Sequence, residues 1–113
     1  KGLREAGLKL HIETSGAHAL SGQWDWVTLS PKKFKTCRED VYSAAHELKV
    51  VVCHRSDMDW AAEHAEKVSP DCHLFLQPEW DKREEATFWI LSWMATRPPW
   101  RISLQTHKYI GIP

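Results

Sequence analysis

Apolar and polar positions change period several times along the chain, and each change predicts an element. Residues 1–6 read as the last turns of a helix, with Gly7 as its left-handed stop. Leu8-Lys9-Leu10-His11-Ile12-Glu13 alternates apolar with polar, the period of a strand, and Thr14-Ser15-Gly16 breaks it. Residues 24–29, with two Trp, a Val and a Thr, predict a second strand that ends at Ser30-Pro31-Lys32, where proline cannot donate to a ladder. Residues 38–47 predict a short helix with Val41, Ala44 and Ala45 on one side. The β-branched run at 48–53 predicts a strand covered on both faces.

The second half repeats the alternation. Ser56 is the expected N-cap of a helix carrying Trp60, Ala61, Ala65 and Val68 as its apolar stripe, stopped by Ser69-Pro70. Residues 72–76 predict a fourth strand, ended by Gln77-Pro78-Glu79. Asp81 and Glu84 resemble a capping box opening the longest helix, residues 82–96. Phe88, Trp89, Leu91, Trp93 and Met94 occupy more than one face of it, so it is expected to be well buried. Pro98-Pro99 ends it, and residues 101–105 predict the last strand.

Strands alternating with helices define an α/β fold with a mostly parallel sheet. Such sheets bind ligands along the rim formed by the strand C-terminal ends. Those ends carry Glu13 to Gly16, Ser30 to Lys32, Cys53-His54, Gln77 to Glu79 and Gln105 to Lys108. Hydrogen-bonding side chains recur in phase there, which points to a polar-ligand pocket; solvated strand ends are the alternative.

Composition narrows the function classes. The formal charge is zero, against a protein held to nucleic acid by clustered phosphate contacts. At 42% hydrophobic and 27% charged residues the chain is of globular and not disordered type. Its apolar runs are far shorter than the roughly 18 residues a bilayer requires, so no membrane partner is expected. Cys37, Cys53 and Cys72 match no zinc, haem or cluster spacing and read as free thiols of a cytoplasmic protein, with no metal site of their own. The seven Trp are expected to anchor the core and a subunit interface. The chain opens on Lys1 without a starting Met and reads as a piece.

Glu13-Thr14-Ser15-Gly16, Thr28-Leu29-Ser30-Pro31-Lys32, Leu76-Gln77-Pro78-Glu79 and the ending from Ser103 to Pro113 together resemble 7-carboxy-7-deazaguanine synthase, a radical S-adenosylmethionine (SAM) enzyme. The segments follow the family's order and cover only its C-terminal half. The upstream Cys-x3-Cys-x2-Cys loop, the magnesium-binding threonine beside it and the Gly-Gly-Glu-Pro segment are not in this sequence. Ala17 departs from the Thr common in relatives.

The resemblance implies the C-terminal part of a radical SAM core domain, residues 1–113, forming part of a (βα) barrel. It implies SAM as cofactor, with a [4Fe–4S] cluster and Mg2+ held by the other half. The implied reaction converts 6-carboxy-5,6,7,8-tetrahydropterin to 7-carboxy-7-deazaguanine with loss of ammonia, on the route to queuosine, in a cytoplasmic homodimer. It implies SAM contacts from Ser30, Pro31, Lys32, Gln77, Pro78, Glu79 and Trp80, and further ones from Glu13 and Ser15. Pro113, through its terminal carboxylate, and His107 are the implied pterin contacts. No side chain is implied as nucleophile or general base. Read from the residues alone, without the resemblance, Lys32 is a solvated loop charge beside Lys33 and Lys35; a packing residue is the alternative for Trp80. The competing functions are a stand-alone SAM- or nucleotide-binding module and an inert fragment.

Overall fold

The computed structural model describes residues 10–104. Five strands, β1 (His11–Thr14), β2 (Trp26–Leu29), β3 (Glu47–Val52), β4 (His73–Pro78) and β5 (Arg101–Ile102), form one sheet in consecutive order, every pairing parallel. Parallel neighbours require crossovers. Helices α1 (Glu39–Ala44), α2 (Ser56–Ala65) and α3 (Arg83–Met94) supply those from β2 to β5.

The core lies on one side of the sheet. Leu29, Leu48, Val50, Val52 and Leu76 project to the face that packs on Val41, Met58, Ala61, Ala86 and Ile90 of the helices. β3 therefore alternates, with Leu48, Val50 and Val52 buried and Glu47, Lys49 and Val51 partly open. This corrects the expectation of a strand covered on both faces: β-branched residues at 50–52 satisfy strand propensity, yet the Lys49 register leaves their odd-numbered neighbours on the other face. That face is polar and cross-braced. Lys49 Nζ reaches over β2 to Glu13 Oε1 at 2.8 Å, His11 Nε2 lies 3.1 Å from Thr28 Oγ1, and Trp26 Nε1 donates to Glu47 Oε1 at 3.2 Å.

Element bounds differ where capping chemistry differs. α1 stops at Ala44 because Ala45 turns extended, its chain entering β3 at Glu47, three residues before the expected helix end. Ser56 is the first helical residue of α2 and makes no cap; the preceding Arg55 is already helical. Gln77 and Pro78 belong to β4, paired with Val51 and Val52, instead of ending it. A 3-10 turn, Trp80–Lys82, precedes α3, and Glu79, not Asp81, caps it by accepting from Lys82 N at 3.2 Å. α3 buries only Ala86 and Ile90 fully; Phe88 is 66% and Leu91 53% exposed, against the expected burial. Apolar residues spread around a helix exceed what one sheet face can cover.

Of the aromatic anchors, Trp100 is buried and meets Trp93 edge-on at 5.5 Å. Cys37 and Cys72 are buried and Cys53 partly so, all free. Among the described residues, no helix is long and apolar enough to cross a membrane.

Candidate functional site: the carboxyl rim of the sheet

Backbone hydrogen bonds carry the strand pairing past the strand ends. Ser30 N donates to Thr14 O at 2.7 Å, Glu79 N to Val52 O at 3.0 Å and Ser103 N to Leu76 O at 2.8 Å. Ser30, Glu79 and Ser103 are thus held by the sheet itself.

The turn after β1 explains its sequence. Thr14 Oγ1 accepts from Gly16 N at 3.1 Å, Gly16 adopts φ 81, and its carbonyl accepts from Arg38 N at 2.8 Å. A Cβ on Gly16 would lie 2.8 Å from Leu29 Cδ1 and 3.0 Å from Cys37 Sγ, so both the conformation and the space select glycine. Ser15 lies in this turn, and its carbonyl accepts from Cys37 Sγ at 3.4 Å.

After β2, Ser30 is 1% exposed, Pro31 is buried and Lys32 is exposed, its Nζ donating to Ser30 Oγ at 3.4 Å. An ammonium and a hydroxyl so placed can receive a carboxylate and a sugar hydroxyl together. Lys33 points differently: its ammonium pairs with Asp57 Oδ1 and lies 5.8 Å from the centre of the Trp60 ring. Between these side chains and β3 lies a cavity of about 240 Å³, lined by Pro31, Lys32, Lys33, Val51, Cys53, His54, Asp57 and Trp60. Phe34, at φ 68, continues the same loop and projects fully into solvent. Such strain in a non-glycine residue persists only where its surroundings fix the backbone. The Lys33 anchor and the Lys35 N to Lys32 O turn at 3.3 Å do so here.

At the end of β4, Gln77 is buried, and its Oε1 accepts from Ser103 Oγ at 3.5 Å. Pro78 is buried in the ladder. Gln77 stands two strands from Ser30, about 10 Å by ordinary strand spacing, with β3 between them. Glu79 is occupied with its capping bond, and Trp80 packs under the Arg83 guanidinium, 4.1 Å from its ring centre. Glu13 shares its carboxylate with Lys49 on the open sheet face. The rim therefore brings Ser15, Ser30, Pro31, Lys32, Gln77 and Pro78 along one edge. Glu79 and Trp80 follow at its end, and their side chains are engaged in local structure. His107 and Pro113 lie outside the described residues.

Sequence reasoning missed Asp57 and Lys33. Asp57 is 2% exposed, and its Oδ2 accepts from Cys53 N at 2.8 Å and His54 N at 2.9 Å. Burial by itself would raise this carboxyl, but the Lys33 ammonium and the two amides outweigh it and hold it below the usual carboxylate range. Its signal was an acidic residue in the first turn of a helix that follows a strand at once, within reach of the amides of the short connection between them.

The rim is the wrong place for a metal cluster made from this chain. Cys53 follows β3 while Cys72 precedes β4, so a six-residue strand, about 20 Å, separates them. Burial pushes the Cys72 thiol up to about 11, and burial, followed by the Glu79 and Asp57 charges, raises Cys53 as well. Metal-ligating cysteines must be thiolates. Among the described residues, no group of three His, Cys, Asp or Glu could hold an ion.

A parallel sheet in consecutive strand order, with helices on one face and a polar carboxyl rim, is part of a (βα) barrel. No protein-family model matches the chain. Over nearly its whole length it corresponds in sequence to the C-terminal half of 7-carboxy-7-deazaguanine synthase. It is 50% identical to the enzyme of that name from Flavobacterium psychrophilum over 111 residues, 98% of this chain and 53% of the relative. It is 48% identical to the one from Synechocystis sp. over 112 residues, 99% of this chain and 53% of the relative. The crystal structure of QueE from Escherichia coli superimposes with a TM-score of 0.74 at 28% identity, covering 91% of this chain and 47% of that one. The chain thus spans about half the length of the relatives it matches.

Proposed function

We propose that this chain forms the SAM- and substrate-facing half of a 7-carboxy-7-deazaguanine synthase. Such an enzyme converts 6-carboxy-5,6,7,8-tetrahydropterin to 7-carboxy-7-deazaguanine with release of ammonia. The observation that carries the proposal is identity of 48% to 50%, over 98% to 99% of the chain, with enzymes of that name. The rim geometry supports it. Its hydroxyl, ammonium and carboxamide, spread over about 10 Å, suit a ligand with an amino-acid end, a ribose and a purine edge.

When bound, SAM would supply the radical chemistry of the reaction, with electrons from a cluster held outside this chain. The chain's own task is binding and exclusion. Lys32 meets the ligand carboxylate, Ser30 a ribose hydroxyl, and the buried Gln77 carboxamide the adenine edge. Pro31 and Pro78 stiffen their strand ends, so little backbone freedom is lost on binding. Val51 and Trp60 line the cavity wall and keep water from it. Pro113 contacts the pterin.

SAM binding to the purified protein, measured by equilibrium dialysis, tests the rim. Gln77→Ala and Lys32→Met are each expected to weaken it by about tenfold, the scale of one hydrogen bond to a charged or buried partner. Unchanged affinity in both variants would remove the rim from the cofactor site. In the enzyme assembled with its other half, deleting Pro113 should weaken pterin affinity more than SAM affinity, and equal losses would exclude the tail from the substrate site.

A further inference from the structure

The loop after β2 and the loop after β3 form the two walls of the rim cavity, and a single side chain joins them. Asp57 Oδ2 accepts both amides of the second loop, Cys53 N and His54 N, at 2.8 and 2.9 Å. Its other oxygen, Oδ1, holds the Lys33 ammonium of the first loop. Asp57 is 2% exposed, whereas the Lys33 side chain is 44% exposed. One end of the link is thus fixed in the core, and the other reaches in from an exposed loop. Trp60, one helical turn beyond Asp57, underlies the ammonium with its ring. Lys33 is adjacent to Lys32, so the position of one sets the direction of the other.

We propose that Asp57 and Lys33 form a clamp that fixes the width of the rim cavity and aims Lys32 at it. Both are positioning residues. Neither needs to touch the ligand: the Asp57 oxygens are already taken up by two amides and an ammonium. The inference rests on the reading of the rim as a SAM site, but the clamp also has a readout that does not depend on SAM. Cys53 lines the cavity and carries one of the two amides that Asp57 holds. Opening the clamp frees the first wall and exposes the Cys53 thiol on the second.

The test compares Lys33→Met, Lys33→Arg, Asp57→Asn and the Lys33→Met/Asp57→Asn double variant in two measurements. One is SAM affinity by equilibrium dialysis; the other is the rate at which a maleimide labels Cys53 in the absence of SAM, located by mass spectrometry. Lys33→Met and Asp57→Asn are each expected to weaken SAM binding and to speed Cys53 labelling, by about fivefold or more. The double variant should match the more affected single one, because the two residues act as one link. Lys33→Arg, which keeps the charge, should restore both values to near the parent's. Additive losses, or Lys33→Met with parent values for both affinity and labelling, would overturn the clamp. Should Asp57→Asn fail to fold, Lys33→Met and Lys33→Arg suffice, since Lys33 projects from the surface. Faster Cys53 labelling in a protein that binds no SAM would leave the clamp standing and refute the SAM reading.

Discussion

At the scale of single residues, the rim depends on positions where conformation or ionisation leaves little choice. Gly16→Ala is expected to lower unfolding free energy by more than about 1 kcal/mol, because a positive φ and contact with Leu29 and Cys37 both resist a side chain. A urea midpoint equal to the parent's would show that the turn can rearrange. His64 offers a second case. Burial disfavours its imidazolium, Lys67 adds to the effect and Glu63 opposes it, so its folded pKa lies below the ordinary value. The unfolded chain then binds the proton more readily. The stability linked to His64 is complete above about pH 6.5, the unfolded value, and is lost as pH falls through the lower folded one. Tyr42 Oη lies 2.6 Å from His64 Nδ1, and glutamine can still accept from it. His64→Gln is therefore expected to flatten the pH dependence of the urea midpoint between about pH 5 and 7; an unaltered slope would assign it to other groups.

At the scale of elements, burial and not hydrophobicity ranks the residues of α3. Ile90→Ala is expected to cost about 2–5 kcal/mol, as a fully buried side chain leaves a cavity. Phe88→Ser, on the open side of the same helix, should change stability by no more than about 0.5 kcal/mol. Comparable losses in both variants, measured by urea unfolding, would mean that the open side of α3 is covered in solution. The same contrast marks how far the elements were legible. Their order and kind could be read from the sequence because the apolar period switches between two and 3.6, with proline, glycine or serine at every switch but the Ala45-His46 connection into β3. Caps were less legible. Ser56 and Asp81 had the right chemistry in the right neighbourhood, but Asp57 and Glu79 lay closer to the amides that needed an acceptor.

At the scale of the whole molecule, one sheet face is packed and the other is a polar surface, with β1 and β5 at the two ends of the sheet among the described residues. Strand edges unpaired among the described residues and the apolar side of α3 both favour association. The 113-residue chain is expected to elute in size-exclusion chromatography ahead of a monomer of its length. A concentration-independent monomer would show that its edges are protected.

The amino-acid order alone determined the alternation of strand and helix, the parallel α/β class and the polar character of the strand ends, because each follows from local period and turn chemistry. It also carried the likeness to the synthase half, since ungapped motifs survive in linear form. Only the tertiary structure decided that one face of the sheet is open, that Glu13 is engaged by Lys49, and that Lys33 and not Lys32 is the ion-paired lysine. Those outcomes depend on which groups meet across 24 to 36 positions of chain, as in Lys33 with Asp57 or Glu13 with Lys49, and on which of two neighbouring lysines the register turns toward a buried carboxylate. Local preference is silent on such distances; packing sets them.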